Sequence, residues 1–197
     1  MRLRQLGLTP VLVALTALVS GCGYNAIQTL DEGAAKAKQQ IAVQLQRRAD
    51  LVPNLVETVK GFARQEAEVF ETVAEARAKL AGAVTGGDLS QMAAASQQMN
   101  GALGRLIAIS EAYPQLKSNE NFIRLQDELA GTENRVGVAR TDYNAAVNDY
   151  NTYIRKFPQV LTAKVMGMKP REYFELTDKA AAAPPTVDFT QPARKSP

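Results

Sequence analysis

Residues 120–157 read ENFIRLQDELAGTENRVGVARTDYNAAVNDYNTYIRKF. Phe122, Leu125, Leu129, Thr132, Val136, Ala139, Tyr143, Ala146, Tyr150, Tyr153 and Phe157 follow one another in steps of three and four. That spacing returns side chains to one face of an α-helix, and no strand alternation competes with it. Thr132 is the one clearly polar member of the seam. Asn119 is placed to cap the start by accepting from free first-turn amides, and Pro158 to end it by forcing the preceding residue out of helical geometry. A helix over 120–157 would be roughly 55 Å long at 1.5 Å per residue. Such a rod cannot bury its apolar stripe alone.

The rest of the chain has the same period. Ile27, Leu30, Ala34, Ala37 and Ile41 share a face with Gln44 and Arg48. Val56, Val59, Ala63, Glu66, Phe70, Val73, Ala76 and Leu80 form a second stripe, expected to open at Pro53, a residue that suits a first helical turn. Leu89, Met92, Met99, Leu103, Leu106 and Tyr113 form a weaker third, which Asp88 would cap. Asn100-Gly101 and Gly104 are expected to interrupt it, since glycine inside a helix costs about 1 kcal/mol against alanine. Segment breaks are expected at Pro53, Gly86-Gly87, Pro114, Pro158, Gly167 and Pro170. Four amphipathic helices on short connections predict an all-α fold, an antiparallel up-and-down four-helix bundle. Val160–Met166 is expected to add a short amphipathic helix ending at Gly167. Met166, Met168, Tyr173 and Phe174 would then pack on the bundle end. Beyond Lys179 the text is rich in proline and poor in large apolar residues, as in disordered tails.

The amino terminus has its own logic. Met1-Arg2-Leu3-Arg4 precedes an apolar run to Ser20 that is short for a spanning helix, the arrangement of a secretory signal. Val19-Ser20-Gly21-Cys22 resembles the bacterial lipobox. The resemblance implies a diacylglycerol on Cys22, cleavage before it and acylation of the new amino group. The expected organisation is therefore a lipoprotein signal peptide over 1–21, a helical domain over 22–178 and a disordered tail over 179–197. Gly23, where an aspartate would signal retention, resembles the sorting pattern for the outer membrane, facing the periplasm, in a cell with two membranes.

Composition narrows the chemistry. The 197 residues hold one cysteine and no histidine. A lipid-bearing cysteine cannot pair, so no disulfide is expected. Without histidine there is no Ser-His or Cys-His nucleophile and no Glu-x-x-His di-iron site. No Asp-rich loop has calcium-ligand spacing, so neither metal nor cofactor is expected. Basic and acidic residues number 23 and 20, without the dense basic stripe that nucleic acid would require.

Two runs carry a family resemblance: QRRADLVPNLVETVKGFA at 46–63 and EAYPQLKSNENFIRLQDELAGTENRVGVARTDYNAAVNDYNTYIRKFP at 111–158. Both resemble the LemA family of membrane-associated bacterial helical proteins, and the likeness extends over 24–175. It implies a four-helix, bundle-like fold with its amino terminus at a membrane, and no enzymatic activity. Many members begin with a transmembrane helix; the lipobox here implies a domain on the extracytoplasmic side instead.

The same runs supply the candidate polar residues: Arg47, Arg48, Asp50, Asn54 and Glu57, then Glu128, Glu133 and Arg135, with Asn134 and Arg140 beside them. They read as a recognition patch or as interhelical ion pairs fixing the register. Arg48 and Glu66 lie on apolar seams and need partners, because a lone buried charge is costly. Tyr143, Tyr150 and Tyr153 are expected in the core with hydroxyls at its rim. The flanking Asn144, Asn148 and Asn151 have no role visible in the sequence.

The function expected is a membrane-anchored, non-enzymatic binding or scaffold module of the cell envelope. Its partners would be the bilayer, through lipid on Cys22, and another envelope protein. A carboxylate-based envelope hydrolase is one alternative. The other is a carrier of lipid between helices, with a cavity lined by Met92, Met99 and the tyrosines.

Overall fold

The computed structural model describes residues 8–175, with side chains from 23 onward. The start of the expected signal segment, the side chain of Cys22 and the expected tail all lie outside the described residues.

Every regular element described is helical: α1 (Leu8–Lys60), α2 (Ala67–Gly86), α3 (Leu89–Ala108), a 3-10 turn (Ile109–Glu111), α4 (Pro114–Lys117), α5 (Glu120–Tyr153) and α6 (Gln159–Val165). Asp88 caps α3 by accepting from the Gln91 amide at 2.8 Å, and Asn119 caps α5 by accepting from Phe122 at 3.1 Å. Gly87, at φ 70°, closes α2 in the left-handed conformation that glycine adopts without penalty.

Three boundaries differ from the sequence expectation, each for a local reason. Pro53 opens no helix, because α1 runs through it to Lys60. A proline inside a helix deprives the carbonyl four residues earlier of its donor. Here that carbonyl belongs to Ala49, and Arg77 of α2 donates its Nε–H to it at 3.0 Å. The chain breaks instead after Lys60. There Phe62 donates to the Val59 carbonyl and Glu66 to the Ala63 carbonyl in tight turns, with Ala63 fully buried beneath them. Second, Gly101 and Gly104 do not interrupt α3. Both lie on its exposed side, while Met92, Met99, Leu103 and Leu106 are buried on the other.

Third, α5 stops at Tyr153. Arg155 and Lys156 donate to the carbonyls three residues back, tightening the chain before Pro158. The seam therefore ends early: Ile154 is buried and Phe157 is 80% exposed.

Helix α1 packs along α5, and α2 along α3, with further contacts of α1 to α2, α3 and α6. One large core draws on α1 from Ala34 to Val59, on α2 and α3, and on α5 from Phe122 to Val147. Thr132, the polar seam member, is fully buried and donates its hydroxyl to the Leu129 carbonyl at 2.7 Å. A second, smaller core joins Ile27 to Tyr150, Ile154 and Ala163. Helix α6 contributes Ala163 and the segment after it Met168, so chain beyond α5 covers this end of the α1–α5 pair.

Candidate functional site: a buried charge network and an asparagine ladder

Arg48 projects from the apolar face of α1 and is 6% exposed. It forms an ion pair with Glu133 of α5, whose Oε1 also accepts from Asn100 of α3 at 3.3 Å. Arg140, two turns further along α5, donates to Ser96 Oγ of α3 at 2.9 Å, and its guanidinium lies 4.8 Å from the centre of the Phe174 ring. Three helices thus meet around two guanidiniums and one carboxylate. Burial first, and the neighbouring charge of Arg140 second, hold Arg48 down at about 10. Burial also lowers Arg140. Both stay protonated at neutral pH, so neither is a proton acceptor there. The cluster can fix the axial register of α1, α3 and α5.

Arg48 was legible as a charge on an apolar seam. The α3 members of the cluster, Ser96 beside Arg140 and Asn100 beside Glu133, were not, because short polar residues there look like surface. Glu66, the other charged seam residue, ends just outside α2 and meets the Tyr113 hydroxyl at 3.5 Å.

The remaining candidates are not drawn together. Arg47, Asp50, Asn54, Glu57, Glu128 and Arg135 are exposed. Asp50 accepts from Gln46 at 2.9 Å and Glu57 pairs with Lys60 at 3.0 Å, both along one helix; such surface pairs contribute little. Arg135 borders an open groove of 520 Å³ between α1 and α5, with Lys36, Gln40, Gln44 and Asp142. Met92, Met99, Tyr143 and Tyr150 are buried in the cores, and the three open grooves described on the surface draw no lining from them. Among the described residues, no group of three or more His, Cys, Asp or Glu is placed to hold a metal ion.

Two of the three asparagines, Asn144 and Asn151, acquire a role that the sequence did not reveal, while Asn148 is exposed. Residues 168–175 lie along α5 as an irregular strap. Asn151 donates to the Arg171 carbonyl at 2.9 Å and accepts the Arg171 amide at 2.8 Å. Asn144 does the same with Phe174, at 3.1 and 2.8 Å. Tyr150 and Tyr143 donate their hydroxyls to the carbonyls of Lys169 and Glu172, at 3.2 and 2.8 Å. Each contact repeats after seven residues of helix and three of strap. Seven helical residues rise about 10.5 Å, and three nearly extended ones span about 10 Å. The heptad of the helix thus matches the strap. Burial raises both tyrosines above their ordinary value, which favours the protonated hydroxyls that donate here. Arg171 also reaches Asp31 of α1 at 2.7 Å.

Asn151→Ala removes the one side chain that pairs with both backbone groups of Arg171, and each orphaned group costs about 1–3 kcal/mol if it stays buried. The expected result is faster proteolysis and hydrogen exchange over 168–175, with the amides of α3 unchanged. Unchanged exchange at Arg171 and Phe174 would show that apolar packing alone holds the strap.

The sequence profile of the LemA family matches residues 37–189, from the middle of α1 past the strap. Among curated proteins, two magnetosome proteins of Paramagnetospirillum magneticum, MamQ 1 and MamQ 2, are each 29% identical over 189 residues, covering 83% of this chain and 68% of theirs. Magnetosome protein MamQ of Magnetospirillum gryphiswaldense is 28% identical over 187 residues, with the same coverage. The profile takes in the Arg48–Glu133 pair, Arg140 and the whole asparagine ladder, and on that match the chain belongs to the LemA family.

Proposed function

We propose that the protein is a lipid-anchored, non-enzymatic binding and scaffold module on the extracytoplasmic side of a bacterial membrane. It presents exposed helix faces to another envelope component. The observation that carries this reading is the double fastening of α1 to α5. Arg48 meets Glu133 toward one end, and Asp31 meets Arg171 of the strap toward the other. Rising residue numbers in α1 thus meet falling ones in α5, which supports an antiparallel up-and-down bundle of the four long helices. A pair fastened twice is a stiff support; the part of α1 that follows cleavage, Cys22 to Lys60, is roughly 58 Å long.

The exposed Arg47, Asp50, Asn54, Glu57, Glu128 and Arg135 supply polar surface for a partner, while Arg48 and Glu133 serve the support itself. The MamQ relatives are named for the magnetosome, and a stiff presenting rod suits a part in building such a cell structure. No helix among the described residues is long and apolar enough to cross a membrane; the anchor in this reading is the lipid on Cys22, argued from the lipobox-like Val19-Ser20-Gly21-Cys22.

Cys22→Ala should leave an uncleaved precursor that takes up no labelled palmitate in growing cells, whereas the parent chain is shortened and labelled. Palmitate incorporation by the variant, or a parent that never carries it, would refute the anchor. Crosslinking from exposed positions near Arg47 and Glu128 should then capture an envelope protein and not a cytosolic one.

A further inference from the structure

The end of the molecule that holds Gly23 carries an apolar surface that the fold leaves uncovered. Helix α6 turns Ala163 inward. Outward it presents Leu161 and Val165, one turn apart and 57% and 84% exposed, continued by Met166 at 50% and Phe157 at 80%. Other exposed large apolar residues, such as Val43, Ile123 and Val138, stand apart along the chain. A grouping of this kind marks a contact surface. Its position is fixed by Gly23, where an added Cβ would lie 3.5 Å from Gln159 Cγ and 3.9 Å from Thr162 Oγ1. The exposed patch therefore sits level with the residue that follows Cys22. Tyr24, next along, is also exposed.

Charge separates a bilayer from a protein as the occupant. From Tyr150 to Arg171 the sequence holds Arg155, Lys156, Lys164, Lys169 and Arg171 and no aspartate or glutamate. Arg155, Lys156, Lys164 and Lys169 are exposed. Asp31 of α1 is taken up by Arg171; Glu32 on α1, and Asp149 and Glu172 at the two edges of that stretch, are exposed, and the stretch between them stays uniformly basic. Aliphatic and aromatic side chains ringed by lysine and arginine fit the boundary between acyl chains and anionic headgroups.

We infer that Phe157, Leu161, Val165 and Met166 insert into the surface of an anionic bilayer beside the lipid on Cys22, with Lys156 and Lys164 on its headgroups. The inference rests on the anchoring reading above and extends it. The diacylglycerol and further acyl chain of that reading would already hold the protein firmly, since each buried CH₂ contributes about 0.8 kcal/mol, but they leave its orientation free. Here the second contact would stop the rod from swivelling about its tether, setting the angle at which α1 and α5 leave the membrane.

The test uses the full-length protein purified from membranes, carrying Val165→Cys or, as a reference far along the rod, Val138→Cys. Each is labelled with a fluorophore and reconstituted in vesicles of phosphatidylcholine and phosphatidylglycerol. The fluorophore at 165 should lose most of its emission to nitroxide-bearing lipids and be shielded from aqueous iodide, and that at 138 should behave oppositely. Lys156→Glu with Lys164→Glu, or vesicles without phosphatidylglycerol, should reduce the nitroxide quenching at 165. Equal iodide access at both sites would overturn the inference. Shielding from iodide without nitroxide quenching would also overturn it, pointing to a protein or a second copy on the patch. Quenching that ignores charge would remove the headgroup contact from it. The intact mass reports Cys22 independently: an unmodified thiol there would refute the lipid anchor, whatever the fluorophore at 165 shows.

Discussion

Glu133→Gln should destabilise the protein by about 3 kcal/mol, whereas Arg48→Met should cost less than about 1 kcal/mol. The pair is the same in both cases, and the difference lies in what each substitution leaves behind. Without Glu133, Arg48 keeps a side chain 7% exposed and still faces the charge of Arg140 that helps to lower it. No counter-charge is left to offset that burial. Glu133, already 38% exposed beside Arg48, can recover water once Arg48 is gone, and the repulsion between the two guanidiniums disappears. Burial of Arg48 is incompletely compensated even in the parent, since its Nε and that of Arg140 have no hydrogen-bond partner among protein atoms. A well-packed methionine therefore gives up little. The double variant Arg48→Met/Glu133→Leu should lie close to the parent, as buried ion pairs replaced by apolar groups often do. Thermal and denaturant unfolding of the four proteins would measure the coupling. Equal losses for the two single variants would mean that the pair is solvated and sets no register. Unchanged stability with loss of a crosslinked partner would assign both residues to recognition.

The same cluster shows how far the sequence can be read. The α5 seam was legible because its cause is local: Phe122, Leu125, Leu129, Val136, Ala139, Tyr143 and Tyr150 recur at helical steps and are buried. The caps at Asp88 and Asn119 were legible for the same reason, each needing only an amide three residues ahead. What escaped were features whose cause lies elsewhere in the chain. Asn144 and Asn151 are poor helix formers, and their partners Phe174 and Arg171 lie in a segment with no periodicity of its own. Phe157 fits the seam by counting, yet the helix that would carry it there ends four residues earlier. The exposed candidates show the converse: a family-like run places charges near one another in sequence, but only Arg48 and Glu133 among them meet across helices.

Pro53 makes the sharpest case, and it yields a second large effect. A proline in a helix interior costs about 3 kcal/mol, through the lost hydrogen bond and the clash of its ring with the carbonyl four residues back. In this protein part of that cost is offset by Arg77, whose Nε–H reaches the Ala49 carbonyl from α2. The ring itself lies on an exposed face. Pro53→Ala should therefore stabilise the protein by about 1–2 kcal/mol, less than the full penalty, because the amide it restores competes with a donor already in place. Arg77→Ala alone should cost about 1 kcal/mol, leaving a part-buried carbonyl between α1 and α2 without a protein partner. In the Pro53→Ala background the same change should cost a few tenths, since residue 53 now supplies the bond. The sign of the coupling is the test. A helix bend made for function, with Arg77 merely resting nearby, would give additive effects. If Arg77→Ala costs as much with alanine at 53 as with proline, the arginine holds α2 against α1 by some other contact, and the continuity of α1 through Pro53 needs a different cause.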